Sequence, residues 1–192
     1  MAKRLSDEQL IELIEAAIFV SQTPLTKEKL RDTVLNEFQV SLKRIQTLID
    51  SITAHYSTRG VRLVKVGSGY RFQACTSLSP WLNQLWQEKA PKYSRAFLET
   101  LSLIAYRQPI TRGEIEQVRG VTVSSQTIKT MLEYNWIKVL GHKEVPGRPA
   151  LYGTTKHFLD HFSISSLSEL PALPSGQDEK ISQILSEPAQ LD

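Results

Sequence analysis

Two histidines near the end of the sequence are candidates for binding a metal ion. His157 and His161 lie four residues apart, which on one helix face would let two imidazoles share a zinc ion. The intervening Phe158-Leu159-Asp160 lacks the glutamate that acts as general base in the metalloprotease motif, and no cysteine lies nearby. We therefore interpret the pair as surface histidines beside a buried Phe-Leu pair, with a metal hydrolase as the alternative.

Cys75 is the only cysteine, so it cannot form an internal disulfide bond. A nucleophilic cysteine needs a nearby base, but Cys75 follows a predicted strand with no histidine close to it in sequence. The sequence also has no GxSxG, GxxxxGK or GxGxxG motif. We predict a chain with no enzymatic activity of its own, no catalytic residues, no cofactor and no metal.

The stretch EVPGRPALYGTT, residues 144–155, is a candidate binding loop. An arginine on a rigid tip suits either a narrow DNA minor groove or a carboxylate on a protein. Minor-groove hooks of the GRP type carry a basic residue before the glycine, and here Pro146 stands in that position. The pattern favours contact of Arg148 with a partner protein, or with the chain's own body, over contact with DNA.

Composition sets the broad class. Of 192 residues 41% are hydrophobic, enough for real cores, yet no run approaches the ~18 apolar residues of a membrane span. The first residues, MAKRLSDEQL, offer no signal segment, so we expect a cytoplasmic protein. Residues 1–163 hold 22 basic and 15 acidic residues, and residues 164–192 hold 1 and 5. This mild basic bias permits nucleic-acid contact without requiring it.

Six positions in the sequence have the pattern of a helix start. Each is a Ser or Thr with one apolar residue immediately before it and another apolar residue four positions after it. They form two sets of three with matching spacing: Ser6, Thr26 and Ser41, then Ser94, Thr111 and Ser124. Gln9 and Glu114 complete capping boxes. Around the middle start of each set, QTPLTKEKL (22–30) resembles RQPITRGEI (107–115), which predicts an internal duplication.

A β-hairpin pattern follows each set. VRLVKV (61–66) and YRFQA (70–74) flank Gly67-Ser68-Gly69, and WIKVL (136–140) and ALYG (150–153) flank residues 141–149. Three helices and a hairpin are the winged-helix arrangement. We therefore predict a mainly helical α+β fold with tandem winged-helix, helix-turn-helix-like domains joined by a helical linker.

The predicted domain boundaries follow from these elements. Residues 1–76 form an N-terminal winged-helix domain, 77–92 a helical linker, and 93–164 a C-terminal winged-helix domain. The linker prediction rests on residues 75–89, where two tryptophans and two leucines share a helix face. Residues 165–192 are acidic and rich in Ser and Pro, which predicts a mostly disordered tail. Within this region, SISSLSELPAL (163–173) is apolar enough to dock on the body or on a partner.

The third helix of each unit, which reads bases in helix-turn-helix proteins, offers little to DNA. We expect Ile128, Met131 and Leu132 of the second unit to face inward. In the first unit the inward set is Ile45, Leu48, Ile49 and Ile52. The outer faces carry Asp50 and Glu133, which would repel phosphates. Weak, non-specific DNA contact is the most that we expect.

Arginines gather in sequence around the second unit's helix junction and wing. They are Arg107, Arg112, Arg119 and Arg148, with Tyr106 beside the first of them. One interpretation is that they tie the wing to the helices through Glu114 and Glu116. The other is a partner-binding site, because guanidinium groups bind carboxylates through forked hydrogen bonds.

On three segments the chain resembles the segregation and condensation protein B (ScpB) family of bacteria. They are IEAAIFVSQTPLTKEKL, LSLIAYRQPITRGEIEQVRGV, and PGRPALYGTTKHFLDHF with the trailing SLSELPAL, and the resemblance covers about residues 10–173. The chain departs from the family pattern at His142, where arginine is expected, and at Ser163, where glycine is expected.

The resemblance implies a non-catalytic scaffold and regulatory subunit. Such proteins form homodimers through the first unit and bind a kleisin subunit (ScpA-like), and through it an SMC ATPase that condenses and segregates chromosomes. It implies a nucleoid-associated cytoplasmic protein that takes part in the cell cycle and cell division, with no membrane contact. The partner-binding residues that it implies are Tyr106, Arg107, Arg112, Glu114, Arg119, Arg148 and Tyr152. A DNA-binding transcriptional regulator with two winged helices is the alternative.

Overall fold

The computed structural model describes residues 5–85 and 93–173, together with Glu179 and Ile181. The chain packs into two compact units. The first comprises Met1–Ala90 and Ser163–Ser165, and the second Pro91–Phe162 and Ser166–Asp192. The finer division into linker and tail stays a prediction. Residues 86–92, 174–178, 180 and 182–192 lie outside the described residues, and with them the end of the predicted linker and most of the predicted tail.

The first unit begins with three helices followed by an antiparallel hairpin. The elements are α1 (Asp7–Val20), α2 (Lys27–Asp32), α3 (Leu42–His55), β1 (Val61–Val66) and β2 (Gly69–Ala74). Its core is aliphatic, with one stripe from each helix meeting the hairpin. The four residues predicted to face inward from α3 are all buried, which confirms that part of the sequence pattern.

Gly69 is required by a close backbone approach. Its φ of 144° lies in a region that side chains rarely adopt. An added Cβ atom would lie 2.4 Å from the carbonyl carbon of Leu25. The neighbouring Tyr70 exchanges two backbone hydrogen bonds with Leu25, at 2.8 and 2.9 Å. The hairpin is therefore bonded to the segment that precedes α2, and the turn proper is the pair Gly67-Ser68.

The helix predicted over residues 75–89 is wrong as a single element. In the described part, two short 3₁₀ turns flank a four-residue helix, α4 (Ser79–Leu82). Pro80 lies in the first turn of α4, where no helical hydrogen bond needs its missing N–H. A helix that ran on from residues 75–78 would need that N–H and would clash with the proline ring, so α4 starts anew at Ser79. Of the expected apolar face, Trp81 and Leu85 are 66% and 73% exposed and Leu82 is half-buried.

The second unit repeats the order of three helices and a hairpin, with a short strand and a closing helix added. The elements are α5 (Arg95–Arg107), β3 (Ile110–Thr111), α6 (Arg112–Arg119), α7 (Ser125–Glu133), β4 (Ile137–His142), β5 (Ala150–Thr154) and α8 (Lys156–His161). The strands form one antiparallel sheet in the order β3-β5-β4. The two-residue strand β3 occupies the place that the Leu25–Tyr70 bridge occupies in the first unit.

All six predicted helix starts are confirmed. In each case the Ser or Thr side chain accepts a hydrogen bond from a backbone N–H in the first turn: Ser6, Thr26, Ser41, Ser94, Thr111 and Ser124. The capping boxes of Ser6 with Gln9 and of Thr111 with Glu114 are both complete. These caps depend on residues within one turn, which is why the sequence predicts them.

One inward-facing prediction in the second unit is wrong. Ile128 and Met131 are buried, whereas Leu132 is 37% exposed. The helix α7 ends at Glu133. Trp136, which follows it closely in the chain, is only 2% exposed and belongs to the core. The ring of Trp136 contacts several aromatic side chains, among them Tyr93 at 5.2 Å between ring centroids.

Candidate functional site

A single carboxylate bonds the start of α6 to the loop between β4 and β5, residues 143–149, which we call the wing loop. Oε2 of Glu114 accepts from the backbone N–H of Thr111 at 2.7 Å and from its hydroxyl at 2.8 Å. Oε1 of the same carboxylate accepts from Nζ of Lys143 at 2.6 Å. Glu114 therefore caps a helix and fixes the wing loop at the same time, and it is largely buried.

These contacts control the charge of Glu114. Burial is the largest single influence and would raise its pKa, because it disfavours the charged form. The hydrogen bonds from Lys143 and from Thr111 favour the charged form, and together they hold the pKa below its ordinary value. The carboxylate is therefore charged at neutral pH and contributes stability there.

Arg112 is the first residue of α6. Its Nε donates to Glu116 at 3.0 Å and its Nη1 to the hydroxyl of Ser125 at 2.9 Å. Glu116 also accepts from the backbone N–H of Val123 at 2.7 Å. That backbone bond is the main reason why the pKa of Glu116 is lowered, with Arg112 adding to it. Arg112 thus orders the α6–α7 connection while about two fifths of its side chain stays exposed.

Arg119 is placed differently from the other arginines. Its side chain is 10% exposed and donates to Glu99 at 3.0 Å and to the hydroxyl of Thr100 at 3.1 Å. Hydrogen bonds from Arg95 and then from Arg119 lower the pKa of Glu99. Arg119 therefore joins the end of α6 to α5. Tyr106 lies on the same side of α5, where its hydroxyl donates to the carbonyl of Pro171 at 2.6 Å.

The wing tip presents Arg148. Its backbone adopts a φ of 37° after Gly147 at 82°, and its N–H donates to the carbonyl of Val145 at 2.9 Å. The guanidinium is 70% exposed and pairs with Glu144 at 2.9 Å. An ion pair this exposed adds only ~0–1 kcal/mol to stability, so Arg148 is available to exchange partners.

Tyr152 lies in β5, and Arg107 lies at the end of α5. Tyr152 is half-buried in the central strand β5, opposite Ile110 on one side and Val139 on the other. Arg107 is the half-buried last residue of α5. The following Gln108 accepts from the backbone N–H of Thr154 at 2.6 Å, which fixes the end of α5 against the strand.

The predicted site residues therefore fall into three groups. Arg112 and Glu114 lie at the start of α6, and Arg148 lies at the wing tip. The third group is formed by α5 and what contacts it: Tyr106 and Arg107 belong to α5, and Arg119 pairs with Glu99 of α5. Tyr152 lies apart from these groups, in the central strand β5. The proposed bridge through Glu114 exists, but its cation is Lys143, which the sequence analysis did not single out. Glu99 is a second charged partner that the sequence analysis did not single out. No local pattern marks either pair, because their residues are 29 and 20 positions apart.

His157 is exposed, whereas His161 and Cys75 contact neighbouring side chains. The ring of His161 packs on Trp136, 4.4 Å between centroids, and the Phe158 beside it is buried. Sγ of Cys75 accepts from Nε of Arg62 at 3.0 Å. Within residues 5–85 and 93–173, with Glu179 and Ile181, no three His, Cys, Asp or Glu residues are grouped to hold a metal ion. No described helix is both long and apolar enough to cross a lipid bilayer.

Comparison with known proteins places the chain in a class of chromosome proteins. The family model of the segregation and condensation complex subunit ScpB matches residues 12–173. The segregation and condensation protein B homolog of Coxiella burnetii (strain RSA 493 / Nine Mile phase I) is 55% identical over 170 residues, covering 88% of this chain and 81% of that protein. The segregation and condensation protein B of Desulforamulus reducens is 39% identical over 168 residues, covering 86% and 90%.

The chain belongs to the ScpB family, since the model spans most of its length and both relatives are well above 30% identical. Among solved structures, the crystal structure of ScpB from Mycobacterium tuberculosis is 27% identical, covers 84% of this chain and 99% of that chain, and has a TM-score of 0.39. A conserved hypothetical protein from Chlorobium tepidum is 33% identical, covers 81% and 96%, and has a TM-score of 0.37.

Proposed function

We propose that this chain is a non-catalytic subunit of a bacterial SMC–kleisin complex that takes part in chromosome segregation and condensation. The observation that carries the proposal is the family match over residues 12–173. In this assembly the chain binds the kleisin subunit, and ATP hydrolysis belongs to the SMC partner. The chain acts in the cytoplasm, in association with the nucleoid.

Each unit is a winged-helix domain in this proposal. Support comes from the order of elements, three helices and then an antiparallel hairpin, which occurs twice. The second unit binds the kleisin through its helix junction and wing. The exposed guanidinium of Arg148 and the half-exposed one of Arg112 are suited to carboxylates of an acidic partner segment. Lys143 and Glu114 hold the wing in the position where these arginines are presented.

The first unit forms the homodimer. Support comes from large apolar side chains that this unit leaves exposed: Phe19 (74%), Val20 (75%), Trp81 (66%) and Leu85 (73%). Exposed apolar groups of this size mark interaction sites when they lie together on a surface. We expect Val20→Asp to shift the molar mass from dimer to monomer in light scattering, and Asp50→Asn to leave it unchanged. A dimeric Val20→Asp chain would contradict this assignment.

DNA binding by base recognition is the competing function. The helix α7 offers Lys129 to a DNA groove, but its Nζ lies 3.8 Å from the carboxylate of Glu133. A carboxylate at this place repels phosphates, so sequence-specific binding is not expected. Titration of duplex DNA at several salt concentrations decides the question. Nanomolar, sequence-dependent binding that persists at moderate salt would replace the scaffold proposal with a transcriptional regulator.

Co-purification with a candidate kleisin tests the scaffold proposal directly. Charge reversal of Arg148 or of Arg107 is expected to weaken capture of the kleisin at least ~10-fold, the size of a lost charged contact. The matched control is Lys129→Glu, which reverses a similarly exposed cation of the same unit, 68% exposed against 70%. Circular dichroism checks that each variant is folded. Undiminished capture by both arginine variants would show that the proposed face is wrong, and absence of any capture would refute kleisin binding itself.

A further inference from the structure

The hairpin of the first unit is positively charged. Residues 51–85, which include the end of α3, the strands β1 and β2 and the short turns after them, contain four basic residues and no Asp or Glu. The basic residues are Arg59, Arg62, Lys65 and Arg71. The helix α2 of the same unit differs, because its sequence KEKLRD mixes both signs of charge. The hairpin therefore presents a positive surface that its own side chains do not neutralise.

Two of these cations flank a free strand edge. Arg62 and Lys65 belong to β1, and both are exposed. The strand β1 pairs with β2 on one side, and no strand in the described part of the chain pairs with its other side. Side chains three positions apart on a strand point to opposite faces and lie about 10 Å apart along it. A ligand that follows the free edge of β1 is therefore within reach of both cations.

Neither of the two cations is neutralised by a carboxylate. Arg62 donates from Nε to Sγ of Cys75 at 3.0 Å, which leaves its two Nη groups to other acceptors. Among the residues that the structure describes, neither Arg62 nor Lys65 forms an ion pair. Arg71 differs, because it is half-buried and its Nη2 donates to Oε1 of Gln73 at 2.9 Å. Arg62 and Lys65 are therefore the cations of the strands that an added anion can reach.

A shallow cavity of about 300 Å³ lies beside Arg62. Its lining consists of Arg62, Val64 and residues 73–77, with no carboxylate among these described residues. The hydroxyl groups of Thr76 and Ser77, which are both exposed, add hydrogen-bond donors to the guanidinium. Phosphate oxygens accept hydrogen bonds from guanidinium groups and from Ser and Thr hydroxyls. The lining therefore matches an anion with several oxygens.

The free edge of β1 distinguishes between two kinds of polyanion. An acidic peptide bound as an added strand would pair with this edge, but cations on an edge strand hinder strand pairing. The backbone of duplex DNA needs no such pairing, and each of its strands carries a phosphate for every ~3.4 Å of helix axis. Cations about 10 Å apart therefore meet separate phosphates of one strand. The charges and their spacing favour DNA over an acidic peptide.

We propose that the hairpin of the first unit binds the phosphate backbone of duplex DNA, with no preference for base sequence. Arg62 and Lys65 contact separate phosphates along the free edge of β1. The phosphate nearest Arg62 lies in the cavity and accepts from the hydroxyls of Thr76 and Ser77. The proposal concerns the first unit, so it neither requires kleisin capture by the second unit nor fails with it.

Fluorescence anisotropy of the full-length chain with short fluorescein-labelled duplexes tests the proposal. Binding by the wild-type chain should weaken at least ~10-fold between about 50 and 200 mM salt, because at least two phosphates release their counterions. Arg62→Ala and Lys65→Ala should each weaken binding ~10-fold at about 50 mM salt. Each should also reduce by ~1 the slope of the logarithm of the association constant against the logarithm of the salt concentration.

Two further variants separate charge from structure. Arg62→Lys keeps the charge but loses the guanidinium that bonds to Cys75, so it should keep the wild-type salt slope. Lys29→Ala is the matched control, because Lys29 is an exposed cation of the same unit on α2. This chain should bind DNA as the wild-type chain does. Circular dichroism checks that each variant is folded.

The choice of probes tests the kind of ligand. A mixed-sequence duplex and an A·T-rich duplex should bind equally, and polyglutamate at the same concentration of charges should displace neither of them. Absence of DNA binding at low salt overturns the proposal, and so does undiminished binding by the chain that carries both Arg62→Ala and Lys65→Ala. A preference for one duplex would replace backbone contact with base recognition. Displacement by polyglutamate would assign the hairpin to an acidic protein partner instead.

Discussion

Substitution of Glu114 tests whether one carboxylate links the cap of α6 to the wing. Glu114→Ala removes two acceptors from Thr111 and the ion pair with Lys143. Glu114→Gln keeps an amide oxygen that can still accept from Thr111, so it removes mainly the charge. The pair of variants separates the cap from the ion pair.

The expected magnitudes follow from burial. The hydrogen bonds of the cap contribute about 1 kcal/mol to the free energy of unfolding. The ion pair with Lys143 adds up to ~1 kcal/mol, because the Lys143 side chain is 45% exposed and solvent screens the attraction. We expect Glu114→Ala to lower the free energy of unfolding at pH 7 by about 1–2 kcal/mol. For Glu114→Gln the expected loss is about 0.5–1 kcal/mol.

The loss on Glu114→Gln should depend on pH in one direction. The pKa of Glu114 is lower in the folded chain than its ordinary value of 4.5. The stability contributed by the charge is therefore complete above pH 4.5 and disappears as the pH falls through the folded pKa. The difference between wild-type and Glu114→Gln chains should be constant from pH 7 to about pH 5 and shrink towards zero below it.

Urea unfolding followed by tryptophan fluorescence measures these differences, since Trp136 is 2% exposed in the second unit. Glu133→Gln is the control, because Glu133 faces Lys129 at 3.8 Å on an exposed helix surface. Its effect should stay below ~0.5 kcal/mol. A Glu114→Gln difference that is unchanged at low pH, or no larger than the control, would refute the assigned role of the carboxylate.

Four further substitutions test the packing. Gly69→Ala should lower the free energy of unfolding of the first unit by at least ~2 kcal/mol, because the new methyl group meets the backbone of Leu25; near-wild-type urea unfolding would contradict this. Gly113→Ala should raise the free energy of unfolding of the second unit by ~0.5–1 kcal/mol, because a Cβ atom at this helical position meets nothing within 4 Å. A lower thermal midpoint would contradict the expected stabilisation. Met131→Ala should lower the free energy of unfolding by about 2–5 kcal/mol, and Leu132→Ala should lower it by less than ~1 kcal/mol, because only Met131 is buried. Equal losses for the two variants in urea unfolding would show that the assigned burial is wrong.

The histidine pair shows what a local pattern leaves open. Two histidines at metal-binding spacing are a local pattern, yet a site needs a third ligand that tertiary structure brings near. Here the ring of His161 packs on Trp136, 25 residues earlier in the chain. The sequence predicts that tryptophan only as the start of a strand, because its burial depends on five aromatic neighbours from several elements.

The sequence alone determined where the helices begin and where the hairpins turn. A cap such as Thr111 acts on a residue three positions away, and strand alternation as in β2 is a property of neighbours, so both can be predicted without tertiary contacts. Tertiary structure decided which residues meet. Lys143 reaches Glu114, Arg119 reaches Glu99, and Gly69 is pressed against Leu25, because helix and strand packing closes loops of 20 to 44 residues that no short pattern encodes.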